Sequence, residues 1–292
     1  MPPQIPRISV IIPTYERPEQ LAAAVASVKA QTEMGTAFSV ELIIVDDASP
    51  TPQGRDLVGE TLTLKVERHD KNQGPAAARN TGVAIATGDY IAFLDSDDTW
   101  RPEKLARQVA VAAPLPVDGV WAQATGFHYK RSGTGAWQDL IPVEMTTPSD
   151  FVRGCRHSPG TTSFLPRRIF DVVGPIDATL DRLEDYDWYV RFGQTGGHLH
   201  VVPEILADID PANSAAPEKV LRAIGQIERK FQAGGMGTAD LTLLRSYLQL
   251  EKGATLWRTG AHWAATAAVA RSFMLAPRAR LHLAPITQPA AD

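Results

Sequence analysis

The chain has one cysteine, Cys155, in 292 residues, which excludes an intrachain disulfide and any zinc-finger spacing. A lone thiol suits a reducing compartment, so the expected location is cytoplasmic. Charge of one sign is also missing: 29 Lys and Arg face 33 Asp and Glu, a formal net charge of -4 with no block of like charge. That balance argues against a nucleic-acid partner. Long apolar runs are absent too. Residues 8–12 are too short for a signal-peptide core, and 264–276, the most apolar stretch, is broken by Arg271 and falls short of the roughly 20 residues a spanning helix needs. Gly235-Met236-Gly237 lacks a third glycine and a preceding strand, so it is not a dinucleotide fingerprint, and no Walker pattern is present.

What is present is alternation. Segments 8–12, 40–45, 62–68 and 90–94 read as strands, separated by helical stretches at 18–31, 53–59 and 75–86. That order predicts an α/β fold with a mostly parallel sheet and helices on both faces. A helix at 102–113 leads into an alternating tract, 119–138, whose Tyr129 to Gly135 segment reads as a hairpin turn in a smaller mixed region. A strand at 162–165, a helix at 167–173 and a helix opening near Leu183 follow. Beyond 211 the periodicity is helical, at 217–232, 240–259 and 261–273, with a glycine-rich break at 233–238. The expected division is 1–210, comprising a nucleotide half (1–100) and an acceptor half (101–210), plus a helical extension over 211–292.

The chemistry concentrates where strands end. Phe93-Leu94 runs into Asp95-Ser96-Asp97-Asp98, and Val45 runs into Asp46-Asp47-Ala48-Ser49. Ligands of open α/β sheets bind at the carboxyl edge. Three crowded carboxylates repel one another unless a cation or several donors compensate them, and oxygen ligands suit a hard divalent ion that also takes phosphate oxygens. An acidic turn with Asp98-Thr99 capping the next helix is the bland alternative; a second strand-end acid pair weighs against it. Gly74-Pro75 opens a helix whose amino end suits phosphate, with Arg79 one turn in.

Taken in order, Ile8 to Arg17 (ISVIIPTYER), Val45-Asp46-Asp47-Ala48-Ser49, Asn72-Gln73-Gly74 through Ala78-Arg79-Asn80-Thr81-Gly82, Leu94 to Asp98, Gly174-Pro175-Ile176-Asp177 and Leu183 to Trp188 (LEDYDW) resemble family 2 glycosyltransferases over roughly residues 7–205. The resemblance implies a GT-A fold, a nucleotide-diphosphate-sugar donor, a divalent cation (Mn2+ or Mg2+) and transfer with inversion. Pro13 and Tyr15 would then line the base pocket, with Asn72 in the donor-binding set. Asp47, helped by Asp46, would accept the base's ring N–H, which favours uracil, thymine or guanine over adenine and makes UDP the expected carrier. Arg79 would reach diphosphate or sugar, Asp95 the ribose and Asp97 the metal, with Asp98 an open alternative as ligand. Asp185 is the expected base for the acceptor hydroxyl, and Glu184 its competitor, because neighbours at a helix start point in different directions. Trp188 reads as a wall of the site or as core, and Trp121 and Phe127 as lining of the acceptor side or, more simply, as packing.

Neither the Gln-x-x-Arg-Trp step of processive relatives nor following membrane helices is present, so transfer of one sugar is expected, in polysaccharide, glycolipid or small-molecule glycoside assembly. The acceptor would be a saccharide, a lipid-linked sugar or a small molecule. A non-catalytic nucleotide-sugar-binding scaffold is the competing reading. Arg271, Arg278 and Arg280 among Phe273, Met274, Leu275 and Leu281 permit peripheral contact with the inner face of a membrane, and the helical tail permits a homodimer. A packed helix with a solvated face is the simpler expectation.

Overall fold

The computed structural model describes residues 5–57, 62–116, 118–130, 135–155, 157–210 and 216–278. Strands β1 (Arg7–Thr14), β2 (Ser39–Asp46), β3 (Thr63–Arg68) and β4 (Tyr90–Phe93) alternate with helices α1 (Pro18–Lys29) and α2 (Pro75–Ile85). Next come β5 (Thr99–Trp100), α3 (Lys104–Ala112), β6 (Trp121–Lys130), β7 (Trp137–Leu140), α4 (Pro148–Phe151), α5 (Pro159–Thr162), β8 (Phe164–Pro166), α6 (Ile169–Val173), α7 (Glu184–Gln194) and β9 (His198–Ile209). The tail holds α8 (Pro217–Ala233), α9 (Thr238–Arg258) and α10 (His262–Leu275).

The strands form one sheet in the order β3-β2-β1-β4-β8-β6-β9-β5, with β7 on β6. The first four are parallel; β8 runs antiparallel to β4 and β6, and β6 and β9 are parallel again. The mixed region therefore lies where the alternating tract placed it. Parallel strands covered on both faces are apolar on both, which is why 8–12 and 40–45 are near-continuous apolar runs, interrupted only by Ser9 and Glu41, whose buried side chains bond to each other at 2.5 Å. Ile8, Val10 and Ile12 pack with Leu21, Val25 and Val28 of α1 on one face. Ile11, Ile43 and Val45 pack with Ala76 and Ala78 of α2 on the other. The buried faces, Leu21, Ala24, Val25 and Val28 of α1 and Ala76, Ala78, Arg79 and Gly82 of α2, recur at three- and four-residue steps. Gly82 lets α2 sit tight on the sheet, since a Cβ there would approach Ile11 Cγ1 at 3.2 Å.

Register decides where the chemistry goes. Thr14 pairs with Asp46, and Ile11 with Phe93, so the segments after β1, β2 and β4 leave the sheet side by side. Three residues there or facing it hold left-handed backbone without being glycine: Glu16 (φ 53), Ala48 (φ 65) and Leu183 (φ 60). Such a conformation costs on the order of 1–2 kcal/mol per residue and persists where surrounding contacts fix it.

Five elements differ from expectation. The helix expected at 53–59 is a single turn, Arg55–Leu57, and 58–61 lie outside the described residues. Asp46 accounts for the difference. Its carboxylate takes the Ser49 N–H at 2.9 Å and the Gln53 N–H at 3.1 Å, while the Thr14 hydroxyl donates to Gln53 Oε1 at 2.9 Å. These side chains hold the segment as a loop. The strand expected at 162–165 is displaced to β8 by the α5 turn. Three elements, β5, α4 and α5, stand outside the expectation, because two to four residues carry no readable period. The 129–135 hairpin is seen as the β6–β7 antiparallel pair; residues 131–134 of its turn lie outside the described residues, as do Arg280 and Leu281.

The tail packs on α7. Val220, Ile224, Ile227 and Phe231 of α8 and Leu244, Tyr247 and Leu248 of α9 enclose Tyr186 and Val190, and Lys230 bridges Asp177 (2.7 Å) and Asp187 (2.9 Å). Among the described residues no helix is long and apolar enough to cross a membrane.

Candidate active site

A cleft of about 790 Å³ opens at the carboxyl edge of β1, β2 and β4, faced by the amino end of α7. That volume suits one nucleotide-sized ligand. Pro13, Tyr15, Asp47, Asn72, Arg79, Asp95, Asp97, Asp98, Glu184 and Asp185 all line it. Ten of the eleven residues picked from sequence thus meet in one place. Asp46 does not: it is buried beneath the cleft, bonded to the 49–53 loop and to Arg68 at 3.1 Å.

Asp47 links two elements. Oδ1 accepts from the Gln73 N–H (2.9 Å) and His69 Nδ1 (2.7 Å), and Oδ2 accepts from the Gly74 N–H (2.7 Å). His69 Nε2 in turn meets Thr81 Oγ1 at 2.8 Å. The start of α2 is thereby tied to the end of β2. A carboxylate has about four acceptor positions, so one remains for a ligand.

Arg79 is buried between acids, with Nη2 on Asp95 Oδ1 at 2.5 Å and Nη1 on Glu184 Oε1 at 3.3 Å. Burial works against its charge, but Asp95 and Glu184 outweigh it and hold the guanidinium ionised more firmly than usual. Glu184 itself is pushed up, by burial and then by Asp185, despite the opposing Arg79. Asp185 is partly exposed; its Oδ1 accepts the Tyr186 N–H at 2.7 Å. It also borders a small apolar recess formed with Phe93, Leu165, Phe170, Trp188 and Tyr189. Trp188 is therefore both core and wall: it is 4% exposed and bonded through Nε1 to the Gly174 carbonyl at 2.9 Å.

Asp97 pairs with Arg17 at 2.7 Å. The hydroxyl of Thr161 donates to Asp98 Oδ2, and the Asp210 N–H donates to its Oδ1 at 3.3 Å. Burial first, and then Asp95, raises the carboxyl pKa of both Asp97 and Asp98. Arg17 and Arg79 pair with Asp97 and Asp95, while Asp98 has no cationic partner among the described residues. All-oxygen donors with uncompensated negative charge at the rim of a cleft fit a hard divalent cation. Asp97 is the more open of the two, and no histidine lines the cleft among the described residues.

Residues 9–170, more than half of the chain, match the sequence pattern of Glycosyl transferase family 2. The chain belongs to that family. Its relatives include an uncharacterized glycosyltransferase of Nostoc, alr2836, 42% identical over 39% of this chain and 35% of the relative. The succinoglycan biosynthesis protein ExoW of Rhizobium meliloti is 38% identical over 42% of this chain and 40% of the relative. The pre-mycofactocin glycosyltransferase of Mycobacterium tuberculosis is 30% identical over 70% of this chain and 42% of the relative. The chain spans well under half the length of these three relatives. Crystal structures of S. aureus TarS 1–349 with UDP (TM-score 0.67, 20% identity, 93% of this chain and 81% of that one) and with UDP-GlcNAc (0.66, 19%, 92% and 89%) share the GT-A fold.

Within this family 2 chain, sequence reasoning missed several residues of the cleft. Arg17 stands out in the sequence only as the end of a motif, although an arginine three residues after a strand-end proline-threonine pair faces the same edge as the acids. Gly160 and Thr161 lie on the α5 turn against Asp95 and Asp98; nothing local marks them. Asp210 and Lys219 reach the cleft from beyond β9, and no signal in the helical tail pointed there.

Proposed function

We propose that the chain moves a single sugar from a UDP-sugar to an acceptor hydroxyl with inversion at the anomeric carbon, assisted by Mn2+ or Mg2+, with 1–210 as the transferase unit and 211–292 as a helical extension. One observation carries this: a single cleft collects Asp47, the acid cluster 95–98, Arg79 and Asp185. The remaining acceptor position of Asp47 suits the ring N–H of uracil, where adenine offers no donor. The UDP and UDP-GlcNAc complexes of TarS support that choice.

Asp97, with Asp98 beside it, would hold the cation, and a bound divalent ion would neutralise charge on the departing diphosphate. Arg79 orients the ribose side by fixing Asp95, and its charge faces the diphosphate. Glu184, closed off by Arg79, is poorly placed to receive a proton, whereas Asp185 is open to the cleft. The acceptor oxygen bonds to the anomeric carbon as the bond from that carbon to the β-phosphate oxygen breaks. Its proton passes to the Asp185 carboxylate and UDP departs with the electron pair. ExoW is named for succinoglycan biosynthesis and the mycobacterial relative for pre-mycofactocin, which supports a saccharide or small-molecule glycoside acceptor here. Trp263, Phe273 and Met274 are exposed on α10, which supports contact with a membrane face presenting a lipid-linked acceptor.

The test is a thermal-shift screen of nucleoside diphosphates and their sugars with and without Mn2+, followed by donor hydrolysis. A UDP-selective, Mn2+-enhanced rise in Tm with turnover supports the reading. No shift with any nucleotide overturns it, and binding without turnover leaves the non-catalytic scaffold.

A further inference from the structure

We propose that Glu144, His198 and His200 form a second metal site, of the zinc type, remote from the cleft. Met145 and Leu199 form an isolated antiparallel bridge, with N–H to carbonyl distances of 3.2 and 2.8 Å in the two directions. Both bridge side chains are buried. Strand alternation therefore sends Glu144, His198 and His200 together to the opposite face. One ligand atom from each lies within 4.8 Å of the others, and the imidazoles stack at 4.0 Å between centroids.

An ordinary surface ion pair does not account for this arrangement. His198 Nε2 stands 3.9 Å from Glu144 Oε2, too far for a hydrogen bond. The ring as a whole is 38% exposed, yet that nitrogen is sealed from solvent without a partner. A closed-off polar atom without a partner is uncommon and asks for an explanation. Two imidazoles and a carboxylate are a three-ligand zinc set that keeps a fourth position for water. Tetrahedral zinc with ligands at 2.0–2.1 Å needs its donors roughly 3.3 Å apart, a contraction within reach of side-chain rotation at a partly exposed site.

The site is independent of the acid cluster. His198 opens β9, and Asp208 near its other end pairs with Thr99, the neighbour of Asp98; ten residues of strand separate the two ends by roughly 30 Å. A metal at Glu144 would reinforce the two-bond bridge that fastens the connection after β7 to β9, and so stabilise the protein.

Isothermal titration of Zn2+ into the full chain tests the proposal. Wild type should bind one more equivalent than H198A/H200A, and D97N should leave that difference intact. Glu144→Gln, a change at an exposed side chain that keeps the fold, should weaken the site by about tenfold or more, the loss that even outer-shell changes inflict. Zn2+ should raise Tm in wild type and not in H198A/H200A, and Co2+ should give the strong visible absorption of a four-coordinate ion only in wild type. Identical Zn2+ stoichiometry in wild type and H198A/H200A, or E144Q binding Zn2+ as wild type does, would overturn it.

Discussion

Arg17 and Asp97 form an ion pair at 2.7 Å across the mouth of the cleft, so the carboxylate proposed to hold the cation already has a cationic partner. Arginine and metal compete for the same oxygens. The pair is partly exposed, 39% and 17% for the two side chains, so its worth is at most about 1 kcal/mol. Arg17→Gln should therefore tighten Mn2+ binding in the absence of nucleotide by roughly two- to fivefold, as read by calorimetric titration; weaker Mn2+ binding would show that Arg17 supports the site instead of competing for it.

Asp185 and Glu184 should separate cleanly. Asp185→Asn should keep UDP binding and lose turnover by about 10²–10⁴-fold, the range for a general base. Glu184→Gln leaves the cleft carboxylate in place but removes a partner of Arg79, so it should raise KM for the donor more than it lowers kcat. Steady-state kinetics of both variants decide the assignment; equal collapse of kcat in E184Q would return the base role to Glu184.

Gly160 presses on the donor machinery. A Cβ there would come within 2.7 Å of Arg79 Nη2 and would overlap Asp95. Both are side-chain ends that can move, so Gly160→Ala should cost little stability and displace the two groups that hold the ribose side. Expected are a Tm near wild type and a donor affinity lowered about tenfold, the effect of roughly 1.4 kcal/mol, measured by UDP titration.

Glu41 governs acid stability. Its fully buried carboxylate accepts the Ser9 hydroxyl at 2.5 Å, the Thr87 N–H at 2.5 Å and the Gly88 N–H at 3.0 Å, and meets Lys65 at 3.1 Å. Burial pushes the pKa up, but these donors outweigh it and bring it down from 4.5 to about 2. A carboxyl with a depressed folded pKa contributes stability above its unfolded value and loses it as pH falls through the folded one. Urea unfolding should show this contribution intact at pH 6 and fading between pH 4.5 and about 2. Glu41→Gln should cost on the order of 1–3 kcal/mol at pH 7, because it weakens charge-assisted hydrogen bonds to a buried group, and should flatten the acid limb. An unchanged acid limb in E41Q would refute the assignment.

The strand-end acids were legible because the sheet's parallel half writes itself as apolar runs: each run stops where the strand leaves the core, and Asp47 and Asp95 follow at once. Glu184 and Asp185 were legible as a helix opening, but their inequality was not. It depends on Arg79, 105 residues away, reaching one carboxylate and not the other. Separation along the chain also hid Gly160 and Thr161, whose neighbours give no period and whose importance lies in which atoms they approach.

The amino-acid order by itself determined the alternation of strands and helices, the apolar faces and the positions at which charge begins, because burial and backbone geometry act over a few residues at a time. Tertiary structure alone decided which acid is sealed by an arginine, which is met by Arg17, and that Glu144 faces two histidines across a single bridge. Those outcomes depend on register and on the long-range closing of chain segments, where a shift of one residue would turn every side chain to the other face.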